Sequence, residues 1–177
     1  MKIEPTPIAG LFEVCVAAHA DARGLFARTY CAREFEAAAT GFGAIRQTSL
    51  SANARRGTLR GMHWQAAPAY EGKLVRPAHG RIFDVVIDLR PESPSFRRWY
   101  GKELDAARHD ALLIPPLCAH GFLTLEDDTL VEYAMDCDFS PDHARGLRFD
   151  DPAFAIEWPA APLVISDRDR CYPDFVA

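Results

Sequence analysis

Gly57-Thr58-Leu59-Arg60-Gly61-Met62-His63-Trp64-Gln65, Glu71-Gly72-Lys73-Leu74-Val75-Arg76 and Ile82-Phe83-Asp84-Val85-Val86-Ile87-Asp88-Leu89 follow one another as three short runs bounded by Gly, Pro or charged residues. Runs of this length, rich in β-branched and aromatic residues, read as strands, here Thr58 to Gln65, Lys73 to Pro77 and Ile82 to Leu89. In the third run both faces are largely apolar, so it lies between layers, and Asp84 becomes an acid among aliphatics that needs a partner. Working outward, similar runs recur at Leu11 to Ala17, Gly24 to Tyr30, Ala44 to Ser51, Arg98 to Glu103, Ala111 to Ile114, Gly121 to Leu125 and Thr129 to Met135. The chain is therefore mainly β, and about ten strands suit a two-sheet jelly roll. The clearest helix is Cys31 to Thr40, with Phe35 and Ala38-Ala39 on an apolar face before Gly41 stops it. Past Pro141 the text is broken by Pro152, Pro159, Pro162 and Pro173, yet Phe149, Phe154, Ile156, Trp158 and Leu163 to Ile165 make it too apolar for a linker. That tail is expected to pack back on the body.

The 177 residues suit one domain spanning 1–177, and 49% hydrophobic with 25% charged residues rules out disordered and coiled-coil classes. Twenty Lys and Arg against 25 Asp and Glu, a net charge of −5, argue against a nucleic-acid-coating surface. Met1 to Pro7 carries an acid and two prolines where a signal peptide needs an apolar run, and no stretch approaches membrane-spanning length. The expectation is a cytoplasmic protein with no membrane partner. Five cysteines without a CxxC pair suggest reduced thiols rather than a disulfide framework or a thiolate metal site.

Chemistry concentrates in the opening runs. Strict alternation puts His63 with Leu59, Gly61 and Gln65, and Arg60 on the other face with Met62 and Trp64. If both serve one pocket, a bulge near Gly61 must switch the parity. Otherwise His63 is a core histidine bonded to a carbonyl and Arg60 a surface arginine. With only three lysines in the chain (Lys2, Lys73, Lys102), Lys73 beside an apolar stretch stands out. In Thr129 to Met135, Val131, Tyr133 and Met135 share a face, which places Tyr133 inside and Glu132 outside. A second cluster, Ile114-Pro115-Pro116-Leu117-Cys118-Ala119-His120-Gly121-Phe122, delivers His120 from a proline-fixed turn to the start of a strand, suited to an anionic oxygen or to a plain turn. Two strand-borne histidines could serve an iron or zinc site, but His63-Trp64-Gln65 lacks a second histidine two residues on and no facial carboxylate is evident, so no metal and no other cofactor is expected.

Taken together, Gly57 to His63, Lys73 to Arg76, Phe83 to Arg90, Ser93-Pro94, Ile114-Pro115-Pro116 with Ala119-His120-Gly121-Phe122, and Arg145-Gly146-Leu147-Arg148-Phe149-Asp150-Asp151-Pro152 resemble the dTDP-4-dehydrorhamnose 3,5-epimerase family. The likeness runs in order from Asp21-Ala22-Arg23-Gly24-Leu25-Phe26 to Ile165-Ser166-Asp167-Arg168-Asp169. It implies a cupin-type jelly-roll barrel with a few short helices, a homodimer, no metal, and epimerisation at C3, C5 or both of a nucleotide-linked 4-keto sugar. By the same likeness His63 is the base with Asp169 as its dyad partner, Tyr133 is the acid on the opposite face, and Lys73 sits by the C4 oxygen. Asp84 would then pair with that lysine or with a histidine, in a catalytic or a purely structural role. The resemblance puts Arg60 and His120 at the diphosphate, Arg23 and Gln47 at the donor site, Phe139 against the base and Arg168 beside the dyad acid.

Four positions depart from the family pattern: Arg28 stands for an acid, Ser49 for an Asn, Ala144 for a Glu and Asp138 for a frequent Tyr. All lie near positions concerned with nucleotide or sugar, so Arg28 and Ser49 count among the candidate binding residues, and the pattern leaves the particular donor open. Two other functions stay open on sequence grounds: a metal-dependent enzyme using His63 and His120, and a non-catalytic sugar-nucleotide binding module.

Overall fold

Two antiparallel sheets face each other in the computed structural model, which describes residues 1–176. Their strands are β1 (Lys2–Pro5), β2 (Phe12–Cys15), β5 (Gln47–Asn53), β6 (Thr58–Gln65), β7 (Lys73–His79), β8 (Arg81–Asp88), β9 (Trp99–Asp105), β10 (Ala111–Ile114), β11 (Cys118–Thr124), β12 (Thr129–Met135), β13 (Ala144–Gly146) and β14 (Val164–Ile165). One sheet has the order β1-β2-β10-β7-β12-β5, the other β13-β6-β11-β8-β9, with β14 added in parallel to β6. A separate hairpin, β3 (Ala18–Asp21) with β4 (Gly24–Ala27), stands off both. The helices are the short α1 (Ala32–Ala37) and α2 (Asp167–Arg170).

Alternation along the strands explains the layering. Ile82 and Val86 of β8 point between the sheets, where they meet Leu11, Val75, Leu112, Ile114, Phe122 and Val131. Val85 and Ile87 point the other way, into a second cluster with Met62, Ala119, Leu147 and Phe154 that Ile156 and Trp158 of the tail cover. The tail thus packs back as its composition predicts, and β8 is apolar on both faces because it has an apolar layer on each side. Each such side chain contributes roughly 1.5–3 kcal/mol on burial.

Several boundaries differ from the reading of the sequence. α1 is shorter at both ends than Cys31 to Thr40, with Phe35 as its buried anchor. β11 begins at Cys118, after Leu117 turns the chain in the left-handed region at φ 62°, so His120 lies within the strand rather than at its start. Strands β1, β3, β13 and β14 come in addition to the expected runs. No described helix is long and apolar enough to cross a membrane.

Candidate active site

The opening strand β6 carries the site because it is not regular. Its pairing with β11 runs His63 to His120 and then Arg60 to Phe122, three residues against two, which is a bulge over Gly61 and Met62. Gly61 adopts φ +139°, a conformation open to glycine, and a Cβ there would lie 2.5 Å from the Cα of Gly121. The extra residue switches the parity, so Arg60 and His63 line one cavity of about 620 Å³ within the barrel. Ser49, Glu71, Lys73, His120, Tyr133, Arg168 and Asp169 line it too.

His63 Nε2 lies 2.7 Å from Asp169 Oδ1. Asp169 is delivered by α2, whose first turn is capped by the Ser166 hydroxyl accepting from the Asp169 amide at 3.1 Å. Its other oxygen accepts the Gly61 amide at 3.3 Å, which ties the dyad to the bulge. Burial pushes the Asp169 carboxyl up, but the hydrogen bonds from His63, Gly61 and Ser166 outweigh it and hold the group below the usual carboxylate value. An ionised Asp169 takes the Nε2 proton of His63 as a hydrogen bond, which leaves Nδ1 as the basic nitrogen. The imidazole remains accessible, with 42% of its side chain exposed.

On the neighbouring strand His120 is buried and its Nε2 meets Asp84 Oδ2 at 2.8 Å. Asp84 therefore pairs with the histidine, not with Lys73, and its other oxygen is buried without a hydrogen-bond partner among the described residues. Burial pushes the Asp84 carboxyl up and His120 offsets this in part. Tyr133 packs against the inter-sheet core, its ring edge-on to His120 at 6.0 Å. Burial and the Asp84 carboxylate push its phenol well above the ordinary value, so it stays protonated at neutral pH and able to donate.

Lys73 opens β7 and donates from Nζ to Glu71 Oε2. Burial pulls its ammonium down to about 8 against the opposing pull of Asp136, Cys137 and Cys118. Arg60 is aimed by Asn53, whose Oδ1 accepts from Nε at 2.8 Å. Arg168 of α2 stacks over the ring of Tyr172, 5.7 Å from its centroid. Phe139 is 58% exposed and, with Trp64, Arg145 and Arg168, lines a smaller chamber of about 200 Å³ that shares His63, Glu71 and Lys73 with the main cavity. Gln47 lies outside the main lining and accepts the Phe139 amide. Arg23 and Arg28 are not brought to this cavity: Arg23 sits at the exposed tip of the β3–β4 hairpin, paired with Asp21 at 2.6 Å, and Arg28 faces Glu34 at 3.4 Å. Among the described residues no group of three or more His, Cys, Asp or Glu is placed to hold a metal ion.

Glu71, Asn53 and Ser166 are the contributors that reading the sequence missed. Glu71 alone had a visible signal, its two-residue spacing from Lys73, which puts both on one face of an extended segment.

A family model described as dTDP-4-dehydrorhamnose 3,5-epimerase matches residues 5–176. The dTDP-4-dehydrorhamnose 3,5-epimerase of Sinorhizobium fredii is 38% identical over 154 residues, 86% of this chain and 78% of that protein. Among solved structures, dTDP-4-dehydrorhamnose 3,5-epimerase from Bacillus anthracis with TDP and pyrophosphate bound superposes with a TM-score of 0.94 at 36% identity, covering 98% of this chain and 99% of that one. A 3'-monoepimerase from Streptomyces bikiniensis in complex with dTDP-quinovose gives a TM-score of 0.89 at 30% identity, covering 97% and 86%.

Proposed function

This chain belongs to the dTDP-4-dehydrorhamnose 3,5-epimerase family and is an isomerase of nucleotide-linked 4-keto sugars; on that premise we propose that His63 and Tyr133 form the proton-transfer pair. The observation that carries the reading is that both line one cavity while Asp169 holds His63 with its basic nitrogen free. His63 Nδ1 takes the hydrogen from a carbon beside the C4 ketone, and the C–H electron pair moves into an enolate with its charge on the C4 oxygen. Lys73 stabilises that oxygen from a partly desolvated position. Tyr133 returns a proton to the same carbon from the opposite face, which inverts it, and solvent then resets both groups.

Arg60 and His120 are assigned to the diphosphate, where charge-assisted donors suit the phosphate oxygens. Phe139 is assigned to the base, Gln47, Ser49 and Arg168 to the donor around it, and thymidine diphosphate sugars are the first substrates to try. The protein is placed in the cytoplasm on the same reading.

Arg23 and Arg28 enter through a homodimer. The β3–β4 hairpin exposes Leu25 at 55% and Phe26 at 76%, apolar side chains that a second copy would cover, and it holds Arg23 away from its own cavity. The hairpin is therefore assigned to the partner's donor site. Mixing His63→Ala chains with Arg23→Ala chains, each impaired alone, should recover activity, since one of the two sites in a mixed dimer keeps both residues. No recovery after subunit exchange would place Arg23 in its own chain's site or in none.

The test of the function itself is incubation with dTDP-4-keto-6-deoxyglucose in D2O, followed by proton NMR and mass spectrometry. Deuterium should enter at C3, C5 or both. In Tyr133→Phe, exchange should continue while net inversion drops by roughly 10²-fold, because solvent replaces the missing acid without facial control. Equal inversion in Tyr133→Phe and wild type would remove Tyr133 from the pair.

A further inference from the structure

Glu71 has no role in the proton transfers above, yet its carboxylate is a buried charge in the reaction cavity. It is 8% exposed and lines both the main cavity and the smaller chamber. Its hydrogen-bond partner is the Lys73 ammonium. Surface ion pairs contribute little, but a carboxylate left unpaired at this depth would be costly, so the two groups depend on each other.

The backbone between them is clamped. Gly72 donates its amide to Asp136 Oδ1 at 2.7 Å, and Asp136 Oδ2 accepts the Gly43 amide at 2.9 Å. The Asp136 amide in turn donates to the Gly72 carbonyl at 3.3 Å. A Cβ at Gly72 would lie 2.9 Å from the Asp136 carboxylate, so the approach needs glycine there. With Gly72 pinned on both sides, residues 71 and 73 present their side chains together.

We infer that Glu71 is a positioning residue for Lys73, fixing the ammonium in the cavity and keeping it protonated for the developing enolate. The inference rests on Lys73 being the cation at the C4 oxygen. Other groups face the same ammonium: Asp136 and Cys137 follow β12, Cys118 opens β11, and His63 and Arg168 lie across the shared lining. Of these Asp136 is occupied by the Gly72 and Gly43 amides, whereas Glu71 bonds the ammonium directly. Burial pulls the Lys73 ammonium down against Asp136, Cys137 and Cys118. A contacting carboxylate favours the charged form, so its loss lowers the midpoint, and a neutral amine stabilises an enolate poorly.

The chain's three lysines make the measurement direct. Lysine-labelled protein gives three side-chain NMR signals, and Lys73 is identified by its loss in Lys73→Arg. Its titration midpoint is followed in wild type, Glu71→Gln and Glu71→Asp, beside the pH profile of deuterium exchange. In Glu71→Gln the midpoint should fall by about 1 or more on the pH scale, and the alkaline limb of exchange should move down with it, giving about 10-fold less exchange above both midpoints. Glu71→Asp keeps the charge and should return the midpoint to within about 0.5 of wild type. An unmoved Lys73 midpoint in Glu71→Gln overturns the inference, and so does a moved midpoint with an unmoved exchange limb. Wild-type protein that exchanges no hydrogen on any keto sugar while the midpoint still moves overturns the epimerase assignment of Lys73 and supports the pairing itself.

Discussion

His63→Ala should lose roughly 10³-fold or more of deuterium exchange at the carbons flanking the ketone while its affinity for dTDP changes by less than about 3-fold. The loss is large because the other titratable groups of the cavity are committed elsewhere, Glu71 and Lys73 to each other. His120 has its Nε2 committed to Asp84 and is buried. Tyr133 is held in its protonated form by burial and by Asp84. Asp169 is ionised but held below the usual carboxylate value, which makes it a poor base. The affinity should persist because the residues assigned to the nucleotide, Arg60 and Phe139, are anchored elsewhere, Arg60 by Asn53 and Phe139 through Gln47. Stability should fall by roughly 1–3 kcal/mol, since the half-exposed imidazole fills little core space but its loss leaves the buried Asp169 carboxylate without the His63 hydrogen bond. Asp169→Asn is the informative companion: it keeps the shape but no longer selects the tautomer, so exchange should fall about 10²-fold with binding intact. Full turnover in folded His63→Ala would falsify the assignment of the base.

Much of the barrel is legible in the sequence because its central strands are short apolar runs with clear ends. Thr58 to Gln65, Ala111 to Ile114 and Thr129 to Met135 agree with β6, β10 and β12 residue for residue. The strands that escaped notice have no such signal. β3, Ala18-His19-Ala20-Asp21, has no β-branched residue and pairs only within its own exposed hairpin. β1 lies at a sheet edge and ends in Pro5, and β14 is two residues long, held by its parallel register with Thr58 and Leu59 rather than by propensity. The site divides the same way. Local spacing places Tyr133 inward and shows that Arg60 and His63 need a bulge to share a pocket. The partners of His63 and His120 lie 106 and 36 residues away, and no local rule connects them. Asp169 was reachable only through the family likeness, and Asp84 announced a need for a partner without naming it. For Glu71 the spacing from Lys73 is the one local signal, because its burial depends on how the two sheets close around it.

Gly61→Ala should be severely damaging for a single added methyl. The added Cβ meets backbone, the Gly121 Cα at 2.5 Å and the His120 carbonyl oxygen at 3.0 Å, and neither can swing aside as a flexible side chain would. The residue also sits at φ +139°, where an L side chain is strained whatever the space around it. Gly41→Ala separates the two effects: Gly41 has φ +72° and nothing within 4 Å of its Cβ position, so it reports conformational cost alone, about 1–2 kcal/mol. Gly61→Ala should exceed that by at least about 2 kcal/mol, read as the difference in unfolding free energy. The alternative for the chain is to abandon the bulge and pair β6 with β11 regularly. That escape restores strict alternation, turns Arg60 and His63 to opposite faces, and removes the Gly61 amide from Asp169. Folded Gly61→Ala protein should therefore have lost at least about 10² in exchange even where its stability has recovered. A variant that melts with Gly41→Ala and exchanges deuterium like wild type would mean that the bulge does not set the parity on which the whole site depends.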